Sequence, residues 1–255
     1  MTRKLTLIAL PGIPSVQLGD DVAMLLLAAL DDTGILLQHG DIAVIAQKVI
    51  SKAEGRQVYL PTVIPGKEAL EVAQVTGKDP RLVELILQES EYISRMAPGI
   101  LIVRHRLGFT SANAGIDRSN VVQEEDGEQV LLLPLDPDKS AAAIGQTIQD
   151  RTNAQIGVVI SDSHGRPFRL GTTGVAIGVA GIPALWDRRG EHDLYGYQLQ
   201  HTDVGVGDEI AAAAGLLMGQ GAEGLPAVLI RGLDLPDEDG KARDLVRPAE
   251  RDLYL

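Results

Sequence analysis

Short apolar runs and amphipathic segments follow one another along this chain. Six apolar, partly β-branched runs bounded by Gly, Pro or Asp predict buried strands, at residues 5–10, 42–46, 100–103, 130–133, 156–160 and 227–230. Apolar positions three and four apart predict helices at residues 22–30, 68–76, 81–90, 141–150 and 209–218. Because strands and helices do not alternate regularly, we expect an α+β fold with mixed or antiparallel sheets and covering helices, not a Rossmann-type sheet.

Composition narrows the chemistry that this fold can carry. The 255 residues include no Cys, which excludes disulfides, thiolate metal sites, iron–sulfur clusters and Cys nucleophiles. The formal net charge of −12 disfavours binding to nucleic acid or to an anionic membrane. The apolar run at 5–10 is too short for a signal peptide, and residues 171–186 fall short of the roughly 20 residues that span a bilayer. We therefore expect a cytoplasmic protein without a membrane span.

The most informative polar segment follows the apolar run at 156–160. It contains Asp162 between two serines, then Arg166 and Arg169, and a glycine-rich stretch comes next. The carboxylate and hydroxyl oxygens suit Mg²⁺ or Mn²⁺, and the arginines are suited to clamp a phosphate or a carboxylate. The alternative is structural: Asp162 caps a turn and the arginines pair on the surface.

Two further loops are open to both interpretations. Residues 113–120 contain Asp117 and Asn120, which are potential cation or nucleotide ligands but also common turn residues. Residues 218–226 contain three glycines whose backbone N–H groups would suit an anion. Their spacing matches neither GxxxxGK[ST] nor GxGxxG, and a helix C-cap at Gly219 explains them equally well.

Lys48 and Lys52 directly follow the predicted strand at 42–46 and are four residues apart. On a helix they would share a face and concentrate positive charge in an acidic protein, which would suit a polyphosphate; solvated surface lysines are the alternative. The sequence has no HExxH pair and no GxSxG elbow, so a His-ligated zinc site and the usual covalent hydrolases lose support.

Taken together and in order, these segments resemble the coenzyme F420:L-glutamate ligase family, which adds glutamate to a deazaflavin coenzyme precursor. The matching words are VISKAEGR, NAGIDRSNV, LLLPLDPD, SDSHGRPFRLGTTGVAIGVAGI, DLYG and DEIAAAAGLLMGQGAEGLPAV, with IRGL after the last. They run from residue 49 to residue 233. Each word is modest alone, but the ordered set is specific.

The resemblance implies a single ligase domain of intertwined parts that assembles into a homodimer, without the nitroreductase-like domain that some members carry at the C-terminus. It implies GTP as a substrate and two Mg²⁺ or Mn²⁺ ions, with K⁺ as a further candidate cation. By position, the metal ligands are Asp117, Asp162, Ser163 and Gln220, although the family often has Thr at position 163 and a carboxylate at position 220. The implied GTP-binding residues are Ile13, Pro14, Ser15, Val16, Gln47, Lys48, Lys52, Asn120, Met218, Gly219, Gln220, Gly221, Ala222, Glu223, Gly224 and Leu225.

The expected reaction joins L-glutamate to the deazaflavin precursor through a γ-glutamyl amide, with an acyl phosphate formed from GTP as the intermediate. We expect Asp162, Arg166 and Arg169 to be the catalytic residues. Two alternatives keep the same loops: a non-catalytic carrier of the deazaflavin or of a nucleotide, and a metal-dependent phosphohydrolase.

Overall fold

The computed structural model describes residues 3–123 and 125–251. In that part of the chain the helices are α1 (Val22–Thr33), α2 (Gln47–Ala53), α3 (Lys67–Thr76), α4 (Pro80–Gln88), α5 (Pro137–Thr152) and α6 (Val206–Met218). The strands are β1 (Thr6–Ala9), β2 (Ile42–Ala46), β3 (Gln57–Tyr59), β4 (Ser90–Ala97), β5 (Ile100–His105), β6 (Thr110–Ala112), β7 (Gln129–Leu131), β8 (Gly157–Arg166), β9 (Arg169–Ala180), β10 (Trp186–Asp187), β11 (Asp203–Val204) and β12 (Ala227–Arg231).

The main sheet has five strands in the order β1-β12-β2-β8-β9. Only β2 and β8 run parallel, and the other neighbours are antiparallel. Smaller sheets pair β3 with β7, β10 with β11, and β4 with β5 and β6. The predicted α+β class is confirmed, because this arrangement is mixed and does not follow a Rossmann layout.

Helices cover both faces of the main sheet. On one face α1 and α5 bury Leu26 and Ile148 against alternate residues of the central strands, such as Ile45. On the other face α6 buries Ile210 against the intervening residues, such as Val44. Successive side chains of a strand point to opposite faces, so continuous apolar runs like the one at 42–46 are what a doubly covered sheet requires.

A second core lies outside the main sheet. It is built from α3, α4 and the two small sheets that contain β3 to β7, and Leu60, Val83, Ile86 and Val103 are fully buried within it. Val103 belongs to the antiparallel β4–β5–β6 sheet. This second core brings the loop at 113–120 towards the main sheet.

The predicted strand end at residue 160 is wrong, because β8 continues to Arg166 and forms a hairpin with β9. The apolar pattern stops at residue 160 because the burial of β8 stops soon after, whereas its ladder of hydrogen bonds continues. The glycine-rich stretch is therefore a strand. A Cβ on Gly174 would lie 2.6 Å from the carbonyl carbon of Ala211 in α6, so a strand with side chains there would not fit under the helix.

No helix among residues 3–123 and 125–251 is both long and apolar enough to cross a bilayer.

Candidate functional site

The sheet topology brings distant segments to one edge. In the parallel pair β2–β8, Ala46 is opposite Ser161, so Gln47 emerges from β2 where β8 carries Asp162. Strand β12 is antiparallel to β2, so the loop before it reaches the same edge, and Ala46 N donates to the carbonyl of Pro226 at 2.8 Å. Strand β1 is antiparallel to β12 and therefore ends there as well. The carboxyl ends of parallel strands are the usual position for ligands in such sheets.

These segments enclose a cleft of about 590 Å³, within the roughly 300–1,000 Å³ range of small-molecule sites. It brings together all four predicted metal ligands and all of the predicted GTP-binding residues except Glu223. Sequence reasoning missed several of its lining residues, namely Ala46, Val49, Ser119, Ser161, Gly174, Gly215 and Pro226. Most of them lie beside a predicted residue along the chain, and Gly174 and Gly215 required knowledge of how β9 and α6 pack.

Lys48 holds the loop at 113–120 against α2. Its Nζ lies 2.9 Å from Oδ2 of Asp117 and donates to Oγ of Ser119 at 2.7 Å, and that hydroxyl donates to Oδ1 of Asp117 at 2.9 Å. The side chains of Lys48 and Asp117 are 24% and 30% exposed, so an incoming ion or phosphate can still reach them. An anion that enters the cleft would contact Lys48, and a cation would contact Asp117.

Lys52 and Asn120 complete the same wall. Lys52 Nζ donates to the backbone carbonyl of Asn120 at 2.8 Å, and Nδ2 of Asn120 donates to the carbonyl of Gly221 at 3.1 Å. Burial lowers the pKa of Lys52, and the charge of Lys48 lowers it further. Lys52 is therefore a partly desolvated cation beside a like charge, and an anionic ligand would stabilise it.

Asp162 lies on β8 with its side chain 10% exposed, and its Oδ2 is 2.9 Å from Nε2 of His164. The two residues are separated by one position and lie on the same face of the strand, so the pairing follows once β8 is known to continue. A register shift between Ile160 and Ser161 marks a β-bulge immediately before them. Bulges commonly re-aim side chains beside active sites.

Gln47 provides a buried donor that has no partner. Only 1% of the residue is exposed, its Oε1 accepts from Ser51 Oγ at 2.8 Å, and its Nε2 makes no hydrogen bond to any described residue. An unsatisfied buried amide costs about 1–3 kcal/mol, which a ligand acceptor in the cleft would recover. Gln47 is thus a candidate donor for a polar ligand of the cleft.

The glycine loop serves both interpretations that the sequence left open. Gly219 is the C-cap of α6 at φ 71°, and it also lines the cleft. Glu223 turns back onto the loop and accepts from Gly221 N at 2.8 Å, and backbone N–H groups of Glu223 and Gly221 lower the pKa of its carboxyl. Backbone donors are thus already gathered around an anion at this loop.

Arg166 and Arg169 lie apart from these residues, at the tip of the β8–β9 hairpin, where they face each other in the ladder. Nη2 of Arg166 donates to the carbonyl of Leu170 at 3.4 Å, and Arg169 is exposed. Neither lines the cleft, so their predicted catalytic role stays a prediction.

The cleft has the donors that a hard divalent cation needs. Asp117, Asp162, Ser163 and Gln220 supply carboxylate, hydroxyl and amide oxygens. No group of three or more His, Asp or Glu suited to a metal is found within residues 3–123 and 125–251. Mg²⁺ commonly binds through only one or two carboxylates and completes its shell with water and substrate phosphates, so two aspartates beside a phosphate site are compatible with it.

Comparison with known proteins gives a consistent result. Residues 12–232 match the family model described as F420-0:Gamma-glutamyl ligase. A Coenzyme F420:L-glutamate ligase of Methanothermobacter thermautotrophicus is 50% identical over 252 residues, which cover 98% of each chain. Ligases with the same description from Methanocaldococcus jannaschii and Methanopyrus kandleri are 46% and 44% identical, covering 86% of both chains for the former, and 94% of this chain and 93% of the relative for the latter.

Proposed function

This chain belongs to the F420-0:gamma-glutamyl ligase family, and on that premise we propose that it joins L-glutamate to the deazaflavin precursor of coenzyme F420 with the consumption of GTP. The observation that carries the GTP and metal parts of the proposal is the convergence of two lysines, two aspartates, a glycine loop and an unpaired buried amide in one cleft. These groups come from four separate parts of the chain.

The chemistry explains why a nucleotide is needed. A free carboxylate does not form an amide because oxide is too poor a leaving group. An oxygen of the acceptor carboxylate attacks the γ-phosphorus of GTP, the bond from that phosphorus to the β–γ bridging oxygen breaks, and GDP leaves. The amine of glutamate then attacks the acyl carbon, inorganic phosphate leaves, and the ammonium proton passes to solvent.

Residues of the cleft supply what this sequence of steps requires. Lys48 and Lys52 neutralise phosphate charge, and a phosphate that displaces the carboxylate of Glu223 would meet the backbone N–H of Gly221. The unpaired Nε2 of Gln47 is a donor for the nucleotide, and Asn120, which donates to the carbonyl of Gly221, holds the glycine loop beside it. Alignment of the reacting oxygens is the larger part of catalysis in phosphoryl transfer, because the protein forms no covalent bond.

Asp117, Asp162, Ser163 and Gln220 would hold the divalent cations. When bound, such ions neutralise charge on the phosphates and on the attacking carboxylate. Lys48 is ion-paired with Asp117 and His164 is hydrogen-bonded to Asp162, so a cation held by the two aspartates would release both side chains for contacts with the substrates. K⁺ remains a further candidate cation.

The homodimer implied by the resemblance also remains a prediction. Four large apolar side chains, those of Phe168, Leu170, Leu194 and Tyr195, are 94–99% exposed. A surface of this kind is typical of regions that a second copy covers.

A single assay tests the proposed reaction. The purified protein is incubated with the deazaflavin precursor, L-glutamate, GTP and Mg²⁺ or Mn²⁺, and the product masses are read. We expect glutamate additions that require all four components. Phosphate release without glutamate consumption would favour the phosphohydrolase, and binding without turnover would favour the carrier.

Asp162→Asn tests the metal role within this reaction. We expect turnover to fall by more than about 100-fold, because loss of even an outer-shell partner of a metal site commonly costs 10–100-fold. The melting temperature should change little, since the amide is isosteric. Asp150→Asn, at an exposed position of α5, is the matched control. Near-normal turnover of Asp162→Asn would remove Asp162 from the metal site.

A further inference from the structure

A second cavity borders the cleft through the Asp162–His164 pair. His164 lines this cavity and Asp162 lines the cleft, and their side chains are 2.9 Å apart. The cavity has a volume of about 720 Å³, which is more than the cleft offers and is in the usual range for ligand sites. The predicted GTP and metal residues do not contribute to its lining.

The charged side chains that line this cavity are carboxylates, which are already hydrogen-bonded within the fold, and arginines. Its carboxylates are engaged by backbone N–H groups: Asp138 accepts from Val179 and Ala242, Asp136 from Lys139, and Asp208 from Ala176. Burial raises the pKa of Asp208 despite that hydrogen bond. These carboxylates therefore stabilise the fold, and they do not form ion pairs with the arginines of the cavity.

The cations are four arginines, Arg104, Arg106, Arg243 and Arg247. Arg106 is 2.9 Å from Glu89, and this pair ties the arginine to the second core. Arg243 and Arg247 are exposed, and within residues 3–123 and 125–251 no carboxylate lies within 4.0 Å of either. The protein has a net charge of −12, so two such guanidinium groups beside one cavity are unusual. They form a candidate anion-binding site, because guanidinium binds carboxylate and phosphate through paired hydrogen bonds.

Aromatic rings line part of the same cavity. The ring of Phe109 stacks on His105 with centroids 5.2 Å apart and meets His164 at 4.8 Å. Phe109 and His164 both line the cavity. Because His164 is hydrogen-bonded to Asp162, a ligand that extends from the arginines to these rings would reach the pair shared with the cleft.

We propose that this cavity binds a carboxylate-bearing substrate of the ligation, with Arg243 and Arg247 holding its anionic group. The inference rests on the proposed function, whose two remaining substrates, the acceptor and L-glutamate, are both carboxylates. A separate cavity keeps such an anion away from the triphosphate until its reactive end reaches the Asp162–His164 pair. The carboxylate and the triphosphate then repel each other strongly only where they meet to react.

Equilibrium binding tests the proposal without requiring turnover. The dissociation constants of the deazaflavin precursor, of L-glutamate and of GTP are measured for the wild type and for Arg243→Ala/Arg247→Ala. We expect the dissociation constant of at least one carboxylate to rise about tenfold or more, with that of GTP unchanged. The carboxylate that responds identifies the source of the anion. Arg151→Ala, an exposed arginine in the last turn of α5, is the matched control.

The pair Arg243→Gln/Arg247→Gln keeps a polar side chain at both positions while removing both charges, and it should show the same loss. Unchanged binding of both carboxylates, or no measurable binding of either to the wild type, would overturn the proposal. A wild type that binds a carboxylate through these arginines yet forms no glutamate amide would instead contradict the proposed function. The two failures are therefore distinguishable.

Discussion

The ammonium group of Lys52 occupies a position that favours an anion. It donates to a backbone carbonyl, which carries no net charge, while burial and Lys48 lower its pKa. A partly desolvated cation beside a like charge is stabilised most by a ligand that brings negative charge. At the residue scale, this makes Lys52 the sharpest test of the proposed triphosphate subsite.

Lys52→Ala should raise the KM for GTP by about tenfold, because a charge-assisted hydrogen bond is worth about 1.5 kcal/mol or more. The concentration of Mg²⁺ needed for half-maximal rate should change less. Steady-state kinetics with each component varied in turn measures both. Lys67→Ala, whose side chain is 91% exposed, should leave both constants unchanged. If the KM for GTP is unchanged in Lys52→Ala, Lys52 is a surface lysine that does not bind the nucleotide.

Single residues also show what sequence could and could not provide. Lys48 and Asp162 were identified because polar groups follow an apolar run at both places, whereas Asp117 lies in an oxygen-rich loop and was assigned to a metal only through the family resemblance. His164 was missed as the partner of Asp162 because the pairing depends on the continuation of β8. Arg243 and Arg247 carry no local signal, since only the folded chain shows that no described carboxylate faces them.

At the scale of elements, the β8–β9 hairpin depends on glycines that let helices approach closely. A Cβ on Gly178 would lie 2.6 Å from the carbonyl carbon of Pro137, at the start of α5. Propensity alone marks Gly as a strand breaker, and that is why β9 was not predicted from the sequence. Tertiary packing outweighs the low strand propensity of glycine, because the glycines allow the covering helix to pack on the sheet.

Gly178→Ala should destabilise the protein by about 2 kcal/mol, since backbone atoms of α5 cannot yield as a flexible side chain would. Thermal unfolding would register this as a lower Tm. Gly165→Ala lies in the same hairpin with nothing within 4 Å of its new methyl group, and it should leave Tm nearly unchanged. Equal Tm values for the two variants would mean that the close approach is not a constraint.

At the scale of the whole molecule, Glu89 joins the second core to the main sheet. Its Oε2 lies 2.9 Å from Nη2 of Arg56, which follows α2, and 2.9 Å from Nη2 of Arg106, while Nε2 of His105 is 3.7 Å away. Burial alone would raise the pKa of Glu89, but these cationic and hydrogen-bonding neighbours together lower it below 4.5. A folded-state pKa below the unfolded value makes the ionised form stabilising.

This stabilisation should be fully present above about pH 4.5 and should be lost as the pH falls through the lower folded-state value. Glu89→Gln should therefore reduce the free energy of unfolding by about 2 kcal/mol at pH 7, and the difference from wild type should shrink in acid. Urea unfolding at pH 7 and pH 3.5 measures both. Glu71→Gln, at a 64% exposed side chain, should show no such pH-dependent difference. A gap for Glu89→Gln that stays constant with pH would contradict the assignment.

The strand order has a consequence for the nascent chain. Strand β12 is the last strand among the described residues, yet it inserts between β1 and β2, which come first. Until β12 has been synthesised, β1 lacks its hydrogen-bonded neighbour and one edge of β2 is unpaired. Unpaired strand edges are sites at which chains aggregate. The segment that closes this edge also brings the glycine loop at 218–225, so the sheet and the ligand cleft are completed in the same late event.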